Sequence, residues 1–234
     1  MNPDPTRNDR NSFFLPNRTV IPLYSNLSSM AMSKNSKESS TGAGEPKHPH
    51  HEVFSASRAG HLDSSLRRFI YRPDRLAERY VKPGDRVLDF GCGPGFFTRE
   101  FAKKAGDTGK VIAADLQEEM LRLLREKLEP EGLMARIRTL KCTQDSIGLS
   151  PEWDRKIDVA FAIFVVHEVP DPKKLFREIA SLLVPGGLLF YSEPPIIVSG
   201  TEFRDNLALA QEAGFALVES RLFFVNRAVV LRNE

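Results

Sequence analysis

Cysteine is scarce in this chain: Cys92 and Cys142 are its only two, and both fall in apolar stretches that read as core. That scarcity excludes a disulfide framework and fits a reducing compartment, so a cytoplasmic location is expected. No run of about 18 apolar residues occurs, which leaves no candidate for a membrane span. The amino terminus lacks the apolar stretch of a secretory signal, and Asp4, Asp9 and Glu38 speak against an organelle-transit segment. Net charge is also small, at +2, too weak a basic field to point to nucleic acid. What remains is a soluble-type composition, 41% hydrophobic and 27% charged, and 234 residues suit one α/β domain with an extension.

Residues 1–47 differ in texture from the rest, being rich in Asn, Ser and Pro. Such a segment buries too little apolar surface to offset its ordering entropy and is expected to be disordered. Met30 and Met32 leave open a later functional start. Residues 48–80 read as a helical cap or lid, and 81–234 as the catalytic-type domain. In the cap, Leu62, Leu66, Phe69 and Ile70 fall at helical spacing behind Asp63 as a cap, and Pro73 suits the first turn of a second helix ending at Tyr80.

Strand and helix patterns then alternate, which is the signature of a parallel sheet covered on both faces. Strands are expected at Arg86–Phe90, Val111–Ala114, Ile137–Lys141, Val159–Phe164 and Leu188–Tyr191, with two more between Phe215 and Leu231. Helices are expected at Phe96–Ala105, Gln117–Leu128, Asp171–Leu183 and Glu202–Ala213. Pro185-Gly186-Gly187 reads as a turn into the fifth strand, and no internal repeat is visible.

Chemistry concentrates where Val87-Leu88-Asp89-Phe90 meets Gly91-Cys92-Gly93-Pro94-Gly95. A buried strand, a glycine-rich turn and a helix start build a nucleotide-type cofactor cradle, because a side chain there would hold the backbone away from a ligand. About twenty residues further on, Asp115 ends the second strand, placed to accept hydrogen bonds from ribose hydroxyls or simply to cap the next helix.

The set Asp89-Phe90-Gly91-Cys92-Gly93-Pro94-Gly95, then Asp115, then Leu183-Val184-Pro185-Gly186-Gly187 resembles the class I methyltransferases that use S-adenosylmethionine. Within them it is most similar to the small-molecule group that includes the ubiquinone and menaquinone C-methyltransferases. The resemblance implies a Rossmann-like, seven-stranded, mostly parallel sheet with helices on both faces and an antiparallel last strand. It also implies S-adenosyl-L-methionine as cofactor. The segment from Asp89 to Gly95 would hold the methionine portion, and Asp115, beside Leu116, the ribose. Asp145, beside Ser146, would meet the adenine amine. The cofactor has no pyrophosphate, so what it needs is amide donors for a carboxylate, acceptors for an ammonium, and a ribose clamp. Asp89 either supplies such an acceptor or only braces the loop. The sulfonium already carries an activated methyl, so Cys92 need not be a nucleophile and reads as a small loop residue.

The acceptor side is expected after the fourth strand, in Phe164-Val165-Val166-His167-Glu168-Val169-Pro170-Asp171. His167 is the candidate general base, with Glu168 orienting it or binding substrate. The alternative is that His167 bonds backbone and Glu168 caps a helix. No second histidine follows His167-Glu168 at zinc-protease spacing, and no metal is expected. His48, His50 and His51 read as a flexible histidine run. The segment also lacks the Asn/Asp-Pro-Pro-aromatic stretch of amino-methyltransferases acting on adenine or glutamine. Glu193 ends the fifth strand and either lines the acceptor pocket or satisfies nearby backbone. The reading is a methyltransferase with a small-molecule acceptor offering carbon, oxygen or nitrogen, no nucleic-acid partner, and an oligomeric state that the sequence does not fix. The rivals are a non-catalytic S-adenosylmethionine-binding regulatory or assembly protein and an NAD-dependent oxidoreductase.

Overall fold

The computed structural model describes residues 65–234. The expectations for residues 1–47, the histidines at 48, 50, 51 and 61, Leu62, and the Asp63 cap lie outside the described residues. The described chain begins with two short helices, α1 (Ser65–Tyr71) and α2 (Pro73–Tyr80). Pro73 sits in the first turn of α2, where its missing amide costs nothing.

Seven strands follow: β1 (Arg86–Phe90), β2 (Lys110–Asp115), β3 (Ile137–Lys141), β4 (Ile157–Ile163), β5 (Leu183–Glu193), β6 (Phe215–Phe223) and β7 (Asn226–Asn233). Between them run α3 (Thr98–Ala105), α4 (Glu118–Leu128), α5 (Pro172–Leu182) and α6 (Gly200–Glu212). The strands form one sheet in the order β3-β2-β1-β4-β5-β7-β6. The first five are parallel, and β7 inserts antiparallel between β5 and β6. This is the Rossmann-like architecture that the resemblance implies.

Period-two alternation distributes side chains to the two faces. Val87, Val111, Ala113, Val159 and Phe161 pack on one side with Leu76 of α2, Phe101 of α3, and Leu121 and Leu124 of α4. Leu88, Ile112, Ala160 and Ala162 pack on the other with Phe176 and Ile179 of α5 and Phe203 of α6. Helices thus cover both faces, which is why β4 is buried at every residue.

Chain order reverses beside β1: β2 and β3 extend one way, β4 and β5 the other. A crevice opens at such a point outside the carboxyl ends of β1 and β4. The loops leaving those two strands therefore face each other, and they are the two segments singled out by sequence.

Several details differ from expectation, three of them with a plain structural reading. Helix α3 begins two residues late, at Thr98 rather than Phe96, because Phe96 and Phe97 remain in the turn and fill the core with their rings. Pro185-Gly186-Gly187 is not a turn ahead of β5 but an irregularity inside it, where pairing jumps from Ile157↔Leu183 to Val159↔Leu188. Phe69, placed on an apolar helix face by its spacing, is 77% exposed.

Candidate active site

The loop after β1 is held in a left-handed backbone at Gly91 (φ 72°), Gly93 (φ 52°) and Gly95 (φ 84°), a conformation that favours glycine. Each glycine has a different neighbour. A Cβ on Gly91 would lie 2.4 Å from Val165, in the loop after β4, so the two loops touch through the missing side chain. A Cβ on Gly95 would meet Leu124 of α4 at 2.9 Å. At Gly93 nothing lies within 4 Å, leaving bare backbone toward open space.

The loop is anchored to β2. The amides of Gly91 and Cys92 both donate to the Ala114 carbonyl, at 2.9 and 3.0 Å. The Gly93 amide donates to Asp115 Oδ2 at 2.9 Å, and the Gln117 amide to Asp115 Oδ1 at 2.9 Å. One carboxylate thus ties the loop after β1 to the loop after β2. Burial pushes the Asp115 pKa up, and those amide donors oppose the rise.

Asp89 lies behind the loop. It is buried and accepts a 2.6 Å hydrogen bond from the Thr98 hydroxyl at the start of α3. Burial pushes its pKa up to about 7, against the pull of that bond. Cys92 is also buried, and burial raises its thiol well above the usual range, with Asp89 and Asp115 adding to the effect. A thiol held protonated in this way is a poor nucleophile.

A cavity of about 320 Å³ opens at this crevice, the kind of place where α/β sheets bind small molecules. Gly91, Cys92, Gly93 and Pro94 supply one wall, and Asp115, Leu116, Gln117 and Met120 another. Cys142, Thr143 and Gln144 enter from the end of β3. The far side is aromatic and aliphatic, with Tyr71, Phe96, Phe97, Phe164 and Ile197. Tyr71 brings α1 into this wall, with its ring 5.4 Å from Phe164 and 5.5 Å from Phe223. Among the described residues, no lysine or arginine lines it.

His167 stands in a one-turn 3₁₀ helix, Val166–Glu168, directly after β4, and lines the same cavity. Its Nδ1 is 2.7 Å from Glu193 Oε2, and its amide donates to Glu193 Oε1 at 3.2 Å. Nε2 lies 3.9 Å from Glu168. Glu193 is fully buried at the end of β5. Burial disfavours the charged imidazole, but the Glu193 hydrogen bond and charge, with Glu168 and Glu202, more than offset this and raise the His167 pKa.

Of the candidate site residues named from sequence, the cavity receives Gly91, Cys92, Gly93, Asp115, Leu116, His167 and Glu168. Four others do not line it. Asp89 braces α3, and Gly95 packs on Leu124. Asp145 is exposed, and the Ser146 hydroxyl donates to Glu178 of α5 at 2.9 Å. From the same loop Thr143 and Gln144 line the cavity instead. Glu193 was left open by the sequence, and its contact with His167 joins residues 26 apart.

Residues 87–187 match the family model for a methyltransferase domain. The ubiquinone/menaquinone biosynthesis C-methyltransferase UbiE of Vibrio campbellii is 35% identical over 113 residues, covering 48% of this chain and 42% of that protein. UbiE of Yersinia pestis is 34% identical over 113 residues, covering 48% and 44%. The chain thus spans less than half the length of these curated relatives. A SAM-dependent methyltransferase from Aquifex aeolicus superposes with a TM-score of 0.70 at 27% identity, covering 78% of this chain and all of that one. The [4+2]-cyclase SpnF shares the fold, with a TM-score of 0.57 at 20% identity over 68% of this chain and 62% of that one. The fold alone therefore does not set the chemistry, and the matched span with the loop that opens it is what points to a methyltransferase domain. Residues 87–187 are thus similar to a methyltransferase domain, on a fold shared with a SAM-dependent methyltransferase.

Proposed function

We propose that the protein transfers a methyl group from S-adenosylmethionine to a small-molecule acceptor, with His167 as general base. The observation that carries the reading is the Asp115 carboxylate joined to the glycine loop, in one cavity with His167 and, among the described residues, with no lysine or arginine in the lining. A dinucleotide needs donors or positive charge for its pyrophosphate, whereas a sulfonium cofactor is better served by carboxylate and aromatic walls. The open backbone at Gly93 leaves room for a ligand to approach, so the residues present fit the cofactor.

S-adenosylmethionine supplies a methyl on positively charged sulfur, which an acceptor's electron pair takes while the sulfur keeps the bonding pair. The chain's own part is binding, orientation and proton transfer. Gly91, Cys92 and Gly93 present backbone to the methionine portion, and Asp115 beside Leu116 receives the ribose hydroxyls. We assign the adenine edge to Gln144 rather than Asp145, since Gln144 lines the cavity and its amide offers both a donor and an acceptor. The aromatic wall of Tyr71, Phe97 and Phe164 excludes water from the reacting groups. Holding donor and acceptor in line supplies much of the rate. His167 takes the acceptor's proton as the new bond forms. The acceptor is a small molecule with a protonated oxygen, nitrogen or acidic carbon, and the two buried thiols, Cys92 and Cys142, suit work in the reducing cytoplasm.

Calorimetric titration tests the cofactor assignment. S-adenosylmethionine should bind with one-site stoichiometry and NAD should not, and tight NAD binding without S-adenosylmethionine affinity overturns it.

A further inference from the structure

We infer that Glu193 is the positioning residue of a histidine–glutamate pair, fixing His167 with its proton on Nδ1 so that Nε2 exchanges the acceptor's proton. The inference deepens the methyltransferase reading of the cavity and rests on it. It begins from topology. Strands β4 and β5 are parallel neighbours, paired up to Ile163↔Ser192, so the residues leaving their ends meet. The 3₁₀ turn after β4 folds His167 back over Glu193, and the Phe164 amide donates to the Ser192 carbonyl at 2.9 Å, pinning the start of that turn. Phe164 itself has a φ of 60°, a left-handed backbone that a phenylalanine adopts only under strain. That strained residue is the bend that brings the turn back over β5.

Glu193 then holds the turn from beneath. Oε1 accepts the His167 amide, the Val166 amide contributes as well, and Oε2 lies 2.7 Å from Nδ1. A fully buried carboxylate is expensive unless paired. Amide groups alone would be satisfied by a neutral glutamine at this position. What a carboxylate adds is negative charge against the imidazole edge opposite the reacting one, which fixes the tautomer and strengthens the base. Among the described residues, the charged groups acting on His167 are Glu193 from β5, Glu168 from the turn and Glu202 from α6. All three are acidic, so each favours the protonated imidazole. Proton balance is simple: the acceptor's proton moves to Nε2 while the Nδ1 proton stays shared with Glu193.

The first readout needs no cofactor. Protein with ¹⁵N-labelled histidine is titrated by NMR, and His167 is identified among the five histidines as the signal lost in His167→Asn. The neutral imidazole should carry its proton on Nδ1 and titrate above the ordinary value of about 6.5. In Glu193→Gln the midpoint should fall by about one pH unit or more. S-adenosylmethionine affinity by calorimetry should stay within about twofold. The second readout is methyl transfer from labelled S-adenosylmethionine to the small-molecule fraction of a cell extract. Its rate should drop at least about tenfold in Glu193→Gln, with the rising limb of its pH profile moved to lower pH. Glu193→Asp, which keeps the charge, should recover part of the rate. A proton on Nε2 in the neutral ring, or a midpoint unmoved by Glu193→Gln, overturns the inference. Absence of S-adenosylmethionine binding by the unaltered protein overturns the methyltransferase reading instead, while the NMR result still decides the pairing.

Discussion

At Gly91 one missing side chain lets the loop after β1 lie against the loop after β4. Gly91→Ala would force a Cβ to 2.4 Å from Val165 and place alanine at a φ of 72°. We predict a loss of about 2–4 kcal/mol from overpacking and backbone strain together. For a chain of this size that corresponds to a fall in Tm of roughly 5–15 °C, measurable by calorimetric unfolding. Asp115→Ala should leave the fold standing but abolish measurable S-adenosylmethionine binding in a titration, because the carboxylate serves both loops. Undiminished affinity would refute its role. Asp89 carries a pH signature. Its folded pKa is raised to about 7, so its contribution to stability is full below the unfolded value and is lost as pH rises through about 7. Asp89→Asn keeps an acceptor for Thr98 and removes that penalty. The variant should therefore gain on the wild type as pH goes from 4 to 8, by up to about 4 kcal/mol. Parallel unfolding curves across that range would contradict it.

Among the elements, those with a strong local signal were legible from sequence alone. The boundaries of β1 and β3 match their residues, and α5 begins where Asp171-Pro172 announced it, with the Asp171 carboxylate accepting the Lys174 amide at 2.9 Å. Asp171→Ala should cost about 1 kcal/mol in urea unfolding, with S-adenosylmethionine affinity unchanged. Less legible were features set by partners distant in sequence. The spacing that put Phe69 on an apolar face gave no sign of what that face meets, and the residue is mostly exposed. The resemblance points to Asp145 for the adenine, yet Gln144 is the neighbour that lines the cavity, while Ser146 bonds Glu178, 32 residues away. Glu193 and His167 were each visible as polar residues at strand ends. Only the parallel pairing of β4 with β5 shows that they touch.

Across the whole molecule, alternation of strands and helices was enough to foresee a covered parallel sheet, and strand order then places the cavity at the reversal beside β1. Among the described residues no helix is long and apolar enough to cross a membrane. The cofactor loop, Asp115 and the His167–Glu193 pair come from four different strand ends, so binding should stabilise the domain as a unit. At a hundredfold excess over Kd, S-adenosylmethionine should add about 2.7 kcal/mol, read as a raised Tm that Asp115→Ala lacks. The central claim is tested most directly by incubating the protein with methyl-labelled S-adenosylmethionine and fractionated small molecules from a cell extract, followed by mass analysis. The account predicts a discrete small molecule that gains one labelled methyl with the unaltered protein and none with Asp115→Ala. Cofactor binding without a methylated product in any fraction would contradict it.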